Sequence, residues 1–214
     1  QLEGLCAFLQ LSTCPEHLLV RFCSWLLALT PQLSYTSATI LAEQLFLRRV
    51  LSLTQPPSRH LMAALASFCS EYSQSFCRVL VAAVLREPGE GAEQPKLVCE
   101  LVEECLEPDC LQLVLSQILE VPLSEKLLPI VQAVLGRQVR GSPLSPGFPC
   151  WLQQCWIKDH VSSLLVALFQ EVLPPELFDL LVLTLCRQAP AFATSLNYAK
   201  LVTAVLTMYQ SQVS

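Results

Sequence analysis

Leu-rich stretches of about a dozen residues alternate along this chain with short clusters of Pro, Ser, Thr and Glu, the signature of successive amphipathic helices separated by turns. The spacing predicts a first helix over Leu2–Leu11, closed by Ser12-Thr13. Thr13-Cys14-Pro15-Glu16 then reads as a capping box, with Thr13 as N-cap, Pro15 in the first turn and Glu16 reaching back. The helix it starts runs to about Leu29, with Leu18, Phe22, Leu26 and Leu29 on its apolar face, and Thr30-Pro31 ends it. A third helix, from about Thr36 to Leu53, buries Ile40, Leu41, Leu45, Leu47 and Leu51. Pro56-Pro57-Ser58 introduces Arg59–Tyr72, with Leu61, Leu65 and Phe68 inward, and a further helix covers Ser75–Arg86.

After the loop Glu87-Pro88-Gly89-Glu90-Gly91, helices are predicted near Lys96–Glu104, Asp109–Glu120 and Glu125–Gln138. Pro129 demands a bend or a later start in the last of these. Pro174-Pro175-Glu176 begins a helix to about Gln188, and Thr194-Ser195 one to about Gln210. Successive helix starts fall roughly 15–21 residues apart, a helix-pair period near 40 as in HEAT-like arrays. The predicted fold is all-α, a solenoid of antiparallel helix pairs, whose product is a surface rather than a pocket. Residues 1–139 form its N-terminal repeats and 171–214 a C-terminal helix pair of the same domain. Between them 140–170 stands out as an inserted, partly disordered segment. Gly141–Pro149 (Gly-Ser-Pro-Leu-Ser-Pro-Gly-Phe-Pro) cannot be regular structure, and Cys150–Phe169 holds two of the three Trp residues.

Composition narrows the function. The formal net charge is −5, and the 13 Lys and Arg are scattered, Arg48-Arg49 being the closest approach to a cluster. A phosphate-tracking face is not expected, hence no direct nucleic-acid partner. The mean hydropathy of +0.49 raises the question of membrane insertion. A spanning helix needs roughly 20 nearly uninterrupted apolar residues. Leu18–Leu29 carries Arg21, and Val161–Leu185 is interrupted by Gln170, Glu171, Pro174, Pro175, Glu176 and Asp179, so no membrane partner is expected. The series opens at Gln1 in mid-pattern without Met or a basic leader, the expectation for part of a longer protein.

Chemistry is sparse. The 11 cysteines include no CxxC and the three histidines, His17, His60 and His160, share no site with them, so no metal or other cofactor is expected. The thiols are expected to be free, small core hydrophobes in a reducing compartment. No Gly-rich phosphate loop, G-x-S-x-G or H-E-x-x-H occurs, and the acidic pairs Glu103-Glu104 and Glu107/Asp109 flank a helix terminus, so no catalytic residue is assigned and an enzyme is not expected. Arg21-Phe-Cys-Ser24 and Arg49-Val-Leu-Ser52 are both R-x-x-S, the minimal pattern of basophilic kinases, which makes Ser24 and Ser52 the phosphorylation candidates. Ser24, between Cys23 and Trp25, is expected to be partly buried, and Ser52 the more accessible.

The opening run QLEGLCAFLQLSTCPEHLLVRFCSWLLALTPQLSYTSATIL resembles the C-terminal domain of the Fanconi anaemia group E family, as do LAEQLFLRRVLSL, LEPDCLQLVLSQILEVP and SLNYAKLVTAVLTMYQ. The resemblance implies a right-handed array of helix pairs, without catalytic activity and nuclear. It implies an adaptor of the Fanconi core complex that binds the group C subunit and brings the group D2 protein to the complex's ubiquitin ligase for monoubiquitination, alongside other core-complex subunits, in DNA interstrand crosslink repair. It also implies phosphorylation by a checkpoint kinase at Ser24 and Ser52, and places Arg49 where binding of the group C subunit is sensitive. In the family the equivalent of Val139 runs almost directly into that of Glu171, and a further helix pair contributing to group D2 binding lies beyond the equivalent of Ser214. The alternative is a generic HEAT-like interaction scaffold in transport or regulation.

Overall fold

The computed structural model describes residues 1–29, 33–87, 91, 93–140 and 173–208. The predicted insertion 140–170 lies outside the described residues save for Arg140, the last residue of a helix, and Pro88–Glu90 of the predicted loop lie outside them too. Among the described residues every regular element is helical. The series begins with α1 (Leu2–Phe8) and α2 (Glu16–Leu29). Tyr35–Ala42, Glu43–Leu47 and Arg48–Leu51 run on without a break and together make α3. Then come α4 (Arg59–Glu71) and α5, built from Ser73–Phe76, Cys77–Val81 and Ala82–Arg86. The remainder are α6 (Glu93–Glu104), α7 (Pro108–Leu119), α8 (Leu128–Arg140), α9 (Pro175–Gln188) and α10 (Leu196–Met208).

Alternate helices are neighbours. The even ones touch in the order α2–α4–α6–α8–α10 and the odd ones in the order α1–α3–α5–α7–α9, giving two ranks. Contacts of α4 with α5, α5 with α6 and α7 with α8 join the ranks. A single apolar cluster runs between them from Cys6 to Val205. Phe46 of α3 meets Phe68 of α4 edge to face, ring centroids 5.4 Å apart, and both rings are fully buried.

Helix starts follow local chemistry where a hydroxyl is free to cap. Ser34, Ser58 and Ser195 accept from the backbone N–H groups of Ser37, Leu61 and Tyr198, and Pro108 fills the first position of α7, where no N–H is needed. Pro129 enforces the later start of α8 at Leu128. The predicted Thr13 capping box does not form. Gln10 adopts a left-handed conformation (φ 51°) that ends α1, and the Thr13 hydroxyl donates back to the Gln10 carbonyl to close a 3₁₀ turn over Leu11–Thr13. The Pro15 carbonyl then takes the N–H of Leu19, and the Glu16 carboxylate accepts from Ser58 at the head of α4 instead.

Two faces differ from the periodic expectation. On α2 the fully buried positions are Leu19 and Cys23, while Leu18 is exposed; the inward face is turned by one residue toward α4. In α3 a π turn over Glu43–Leu47 adds a residue, turning the remainder of the helix by about 100°. Phe46 and Val50 are therefore buried where Leu47 and Leu51 were expected, and those two, with Ile40, are only half-buried. A second π turn, Cys77–Val81 in α5, lies against the first.

Candidate functional site

Arg49 stands in the last turn of α3, and its stem is directed back toward α1. Its Nε donates to the Leu45 carbonyl at 3.0 Å, and its Nη2 donates to the carbonyls of Leu11 and Cys14 at 3.1 and 2.6 Å. Those carbonyls belong to the turn between α1 and α2, so one half-buried guanidinium fixes that turn onto α3. The same device recurs one helix pair later. Buried Gln94, in the first turn of α6, donates through Nε2 to the carbonyls of Leu51 and Leu53 at the end of α3. Lys126, just before α8, donates to the Glu87 carbonyl at the end of α5. The bonds that leave their own helix span 35 to 43 residues and hold carbonyls at or just past the ends of other elements.

Ser52 caps the C-terminal end of α3 between the two carbonyls that Gln94 holds, and its hydroxyl donates to the Arg49 carbonyl at 3.2 Å. It is exposed, as expected. Ser24 is exposed too, contrary to expectation, because α2 turns Leu19 and Cys23 inward and leaves Ser24 on the opposite side. Its hydroxyl donates to the Val20 carbonyl one turn back. The exposed stripe of α2 comprises His17, Leu18, Arg21, Ser24, Trp25 and Ala28, at helical spacing. Ser24 and Ser52 thus occupy different surroundings: the first lies on an open helix face, the second at a joint between helix pairs.

The exposed large apolar side chains have a telling distribution. Leu5, Phe8 and Leu9 on or just after α1, Leu18 and Trp25 on α2 and Tyr35 at the start of α3 lie at one end of the two ranks. Leu180 and Leu183 on α9 and Leu196 and Leu206 on α10 lie at the other. Among the described residues, none stands between these groups. Phe8 is 83% exposed and Trp25 66%, whereas Leu196 at the far end is 68% exposed. Beside Leu196, the α10 side chains Ala199, Thr203, Ala204 and Thr207 line an open apolar depression of about 600 Å³. Helical periodicity assigned Leu18 to the core and passed over the rest, because an apolar residue at helical spacing looks the same in a middle helix and in a terminal one.

A groove of about 340 Å³ between α6 and α8 is lined by Cys99, Glu103, Gln132 and Arg137 among others. Burial, aided by Glu103 and Glu100, pushes the Cys99 thiol up to about 11, which keeps it protonated near neutrality. The Gln132 amide is engaged with the Asn197 carbonyl of α10 at 2.9 Å. This is a set of packing contacts, with no activated nucleophile. Among the described residues no helix is long and apolar enough to cross a membrane, and no group of three or more His, Cys, Asp or Glu side chains could hold a metal ion.

The family model described as Fanconi Anaemia group E protein FANCE matches residues 1–149 and 149–214. The human Fanconi anemia group E protein is 40% identical over 215 residues, covering 100% of this chain. The chain spans about a third of that relative, 34% of its length.

Proposed function

The chain belongs to the Fanconi anaemia group E family, and from that premise we propose that it is a non-enzymatic adaptor of the nuclear core complex. In this reading it holds the group C subunit at its N-terminal end and the group D2 protein at its C-terminal end. It thereby presents the group D2 protein for monoubiquitination in crosslink repair. One observation carries the proposal: among the described residues, the exposed large apolar side chains fall into two groups, one on α1–α3 and one on α9–α10. A bridge between two proteins needs two such surfaces, and a contiguous exposed apolar patch is what a protein interface uses.

The stacking of alternate helices supports a HEAT-like solenoid, in which each pair contacts its neighbours. The right hand of the array follows the family resemblance. The group C subunit is assigned to the N-terminal end because Arg49, the residue the resemblance ties to that partner, fixes the α1–α2 turn there. Ser24 lies within the same end, between Arg21 and Trp25. A phosphate there places about −1.5 to −2 of charge amid the apolar stripe, and so sets the strength of docking.

The test is a pull-down from nuclear extract with the wild-type chain and with Phe8→Ser/Trp25→Ser. The wild type recovers the group C subunit and the double variant does not, with helicity unchanged. Recovery of unrelated helical-repeat cargo in place of the group C subunit supports the generic scaffold instead.

A further inference from the structure

The joint between α3 and α5 gathers positive charge on the outside of the odd rank. The π turn of α3 packs on the π turn of α5, and the last turns of the two helices touch as well. On an unbroken α-helix Arg78 and Arg86 would point about 80° apart, at about 100° per residue. The π turn of α5 absorbs one residue between them and brings them to within about 20° of one another. Arg48 follows directly on the π turn of α3, in the segment that touches Ala82–Arg86. Arg48, Arg78 and Arg86 are all exposed. Half-buried Leu47 and Val79, one from each π turn, supply an apolar centre beside them.

Nothing described in this chain neutralises the three guanidiniums. Among the described residues the one ion pair is Lys96–Glu93, in the first turn of α6. Glu43, exposed and about one turn before Arg48, forms no ion pair with it. Arg48 and Arg86 stand in last turns, where the carbonyl ends of a helix favour a cation. Arg78 lies in the N-terminal half of α5, where the helix dipole offers a cation nothing. The cluster also runs against the net charge of −5. Its place is separate from the two apolar ends: Tyr35 of the N-terminal group opens α3, whereas Arg48 stands in the last turn of that helix.

We propose that this face is a third docking surface, for an acidic amphipathic segment of a partner protein. The apolar side of that segment rests on Leu47 and Val79, and its carboxylates meet Arg48, Arg78 and Arg86. An apolar centre with a polar rim is the ordinary anatomy of a protein interface, and Arg takes carboxylates in bidentate pairs. Charge complementarity of this kind selects the partner and speeds its arrival. The apolar centre and the Glu43 carboxylate favour a protein over nucleic acid. A phosphate backbone is held by a longer run of cations and gains little from Leu47 and Val79.

The test places the photo-crosslinker benzoylphenylalanine at Gln74, exposed one turn before Arg78, in the 214-residue chain. The chain is irradiated in nuclear extract and the crosslinked peptides are identified by mass spectrometry. The expected product is a segment rich in Asp and Glu, with apolar residues at helical spacing. A labelled synthetic peptide of that segment should bind the wild-type chain in fluorescence anisotropy, more weakly as salt is raised. Arg48→Glu/Arg78→Glu should weaken binding roughly tenfold or more with Tm unchanged, because both side chains are exposed. Phe8→Ser/Trp25→Ser should leave it intact, which separates this face from the N-terminal end. Crosslinks to nucleic acid alone, no crosslink, a segment without acidic excess, or binding unmoved by the double charge reversal would overturn the proposal.

Discussion

Replacing Arg49 with Met separates two roles that a binding assay alone confounds. Met keeps the apolar stem and removes the donation to Leu45 together with the pair reaching the Leu11 and Cys14 carbonyls. The first is local to α3, and water replaces it at little cost. The other two join α3 to the turn between α1 and α2 across a half-buried site. Hydrogen bonds to a charged group contribute about 1.5–3 kcal/mol each, and less where water reaches the vacated carbonyls. The expected loss is therefore about 2–3 kcal/mol. For a chain of this size that lowers Tm by roughly 5–10 °C.

Arg49→Lys, with a single ammonium in place of the fork, should recover about half of that loss. Calorimetry or denaturant titration reads the stability, and binding of the group C subunit is measured at several temperatures. If the residue acts through the turn, binding weakens in step with α1–α2 order and returns on cooling. Unchanged Tm together with abolished binding would rule out action through the turn and place the guanidinium in the partner's hands.

Other substitutions probe separate parts of the molecule. Gln10→Gly relieves the left-handed backbone at the end of α1 and should raise stability by about 0.5–1 kcal/mol, read as a higher denaturant midpoint. Phe46→Ala empties a fully buried site against Phe68 and should cost about 3–5 kcal/mol, read the same way. Treatment with a checkpoint kinase, with Ser24→Ala and Ser52→Ala as controls, should modify both exposed serines, mapped by mass spectrometry. Charge at Ser24 should weaken group C binding without changing stability by more than about 0.5 kcal/mol. Charge at Ser52, by contrast, sits at the C-terminal end of α3, where the helix dipole disfavours it, and should lower stability measurably.

The helical character of the chain was legible because its punctuation has direct local causes. Ser58 caps α4, Pro108 starts α7, and Pro129 delays α8 to Leu128, all from chemistry within a turn. The π turns at Glu43–Leu47 and Cys77–Val81 leave no such mark, since they arise where two odd-rank helices press on each other. That is why the burial of Phe46 and Val50 was missed. The Thr13 capping box failed because the hydroxyl was used one turn earlier, on Gln10, a competition the motif does not encode. Arg49 could be singled out only through family resemblance, because its acceptors are backbone carbonyls 35 and 38 residues away. Gln94 and Lys126 carry the same role with equally silent targets.

The decisive measurement on the two-ended bridge is to size a mixture of purified group C subunit, this chain and the group D2 protein by mass photometry. A species containing all three is expected. Phe8→Ser/Trp25→Ser should leave only the pair with the group D2 protein, and Leu196→Ser/Leu206→Ser only the pair with the group C subunit. A species that survives both double variants, or one that either variant dissolves into free components, would contradict separate docking at opposite ends.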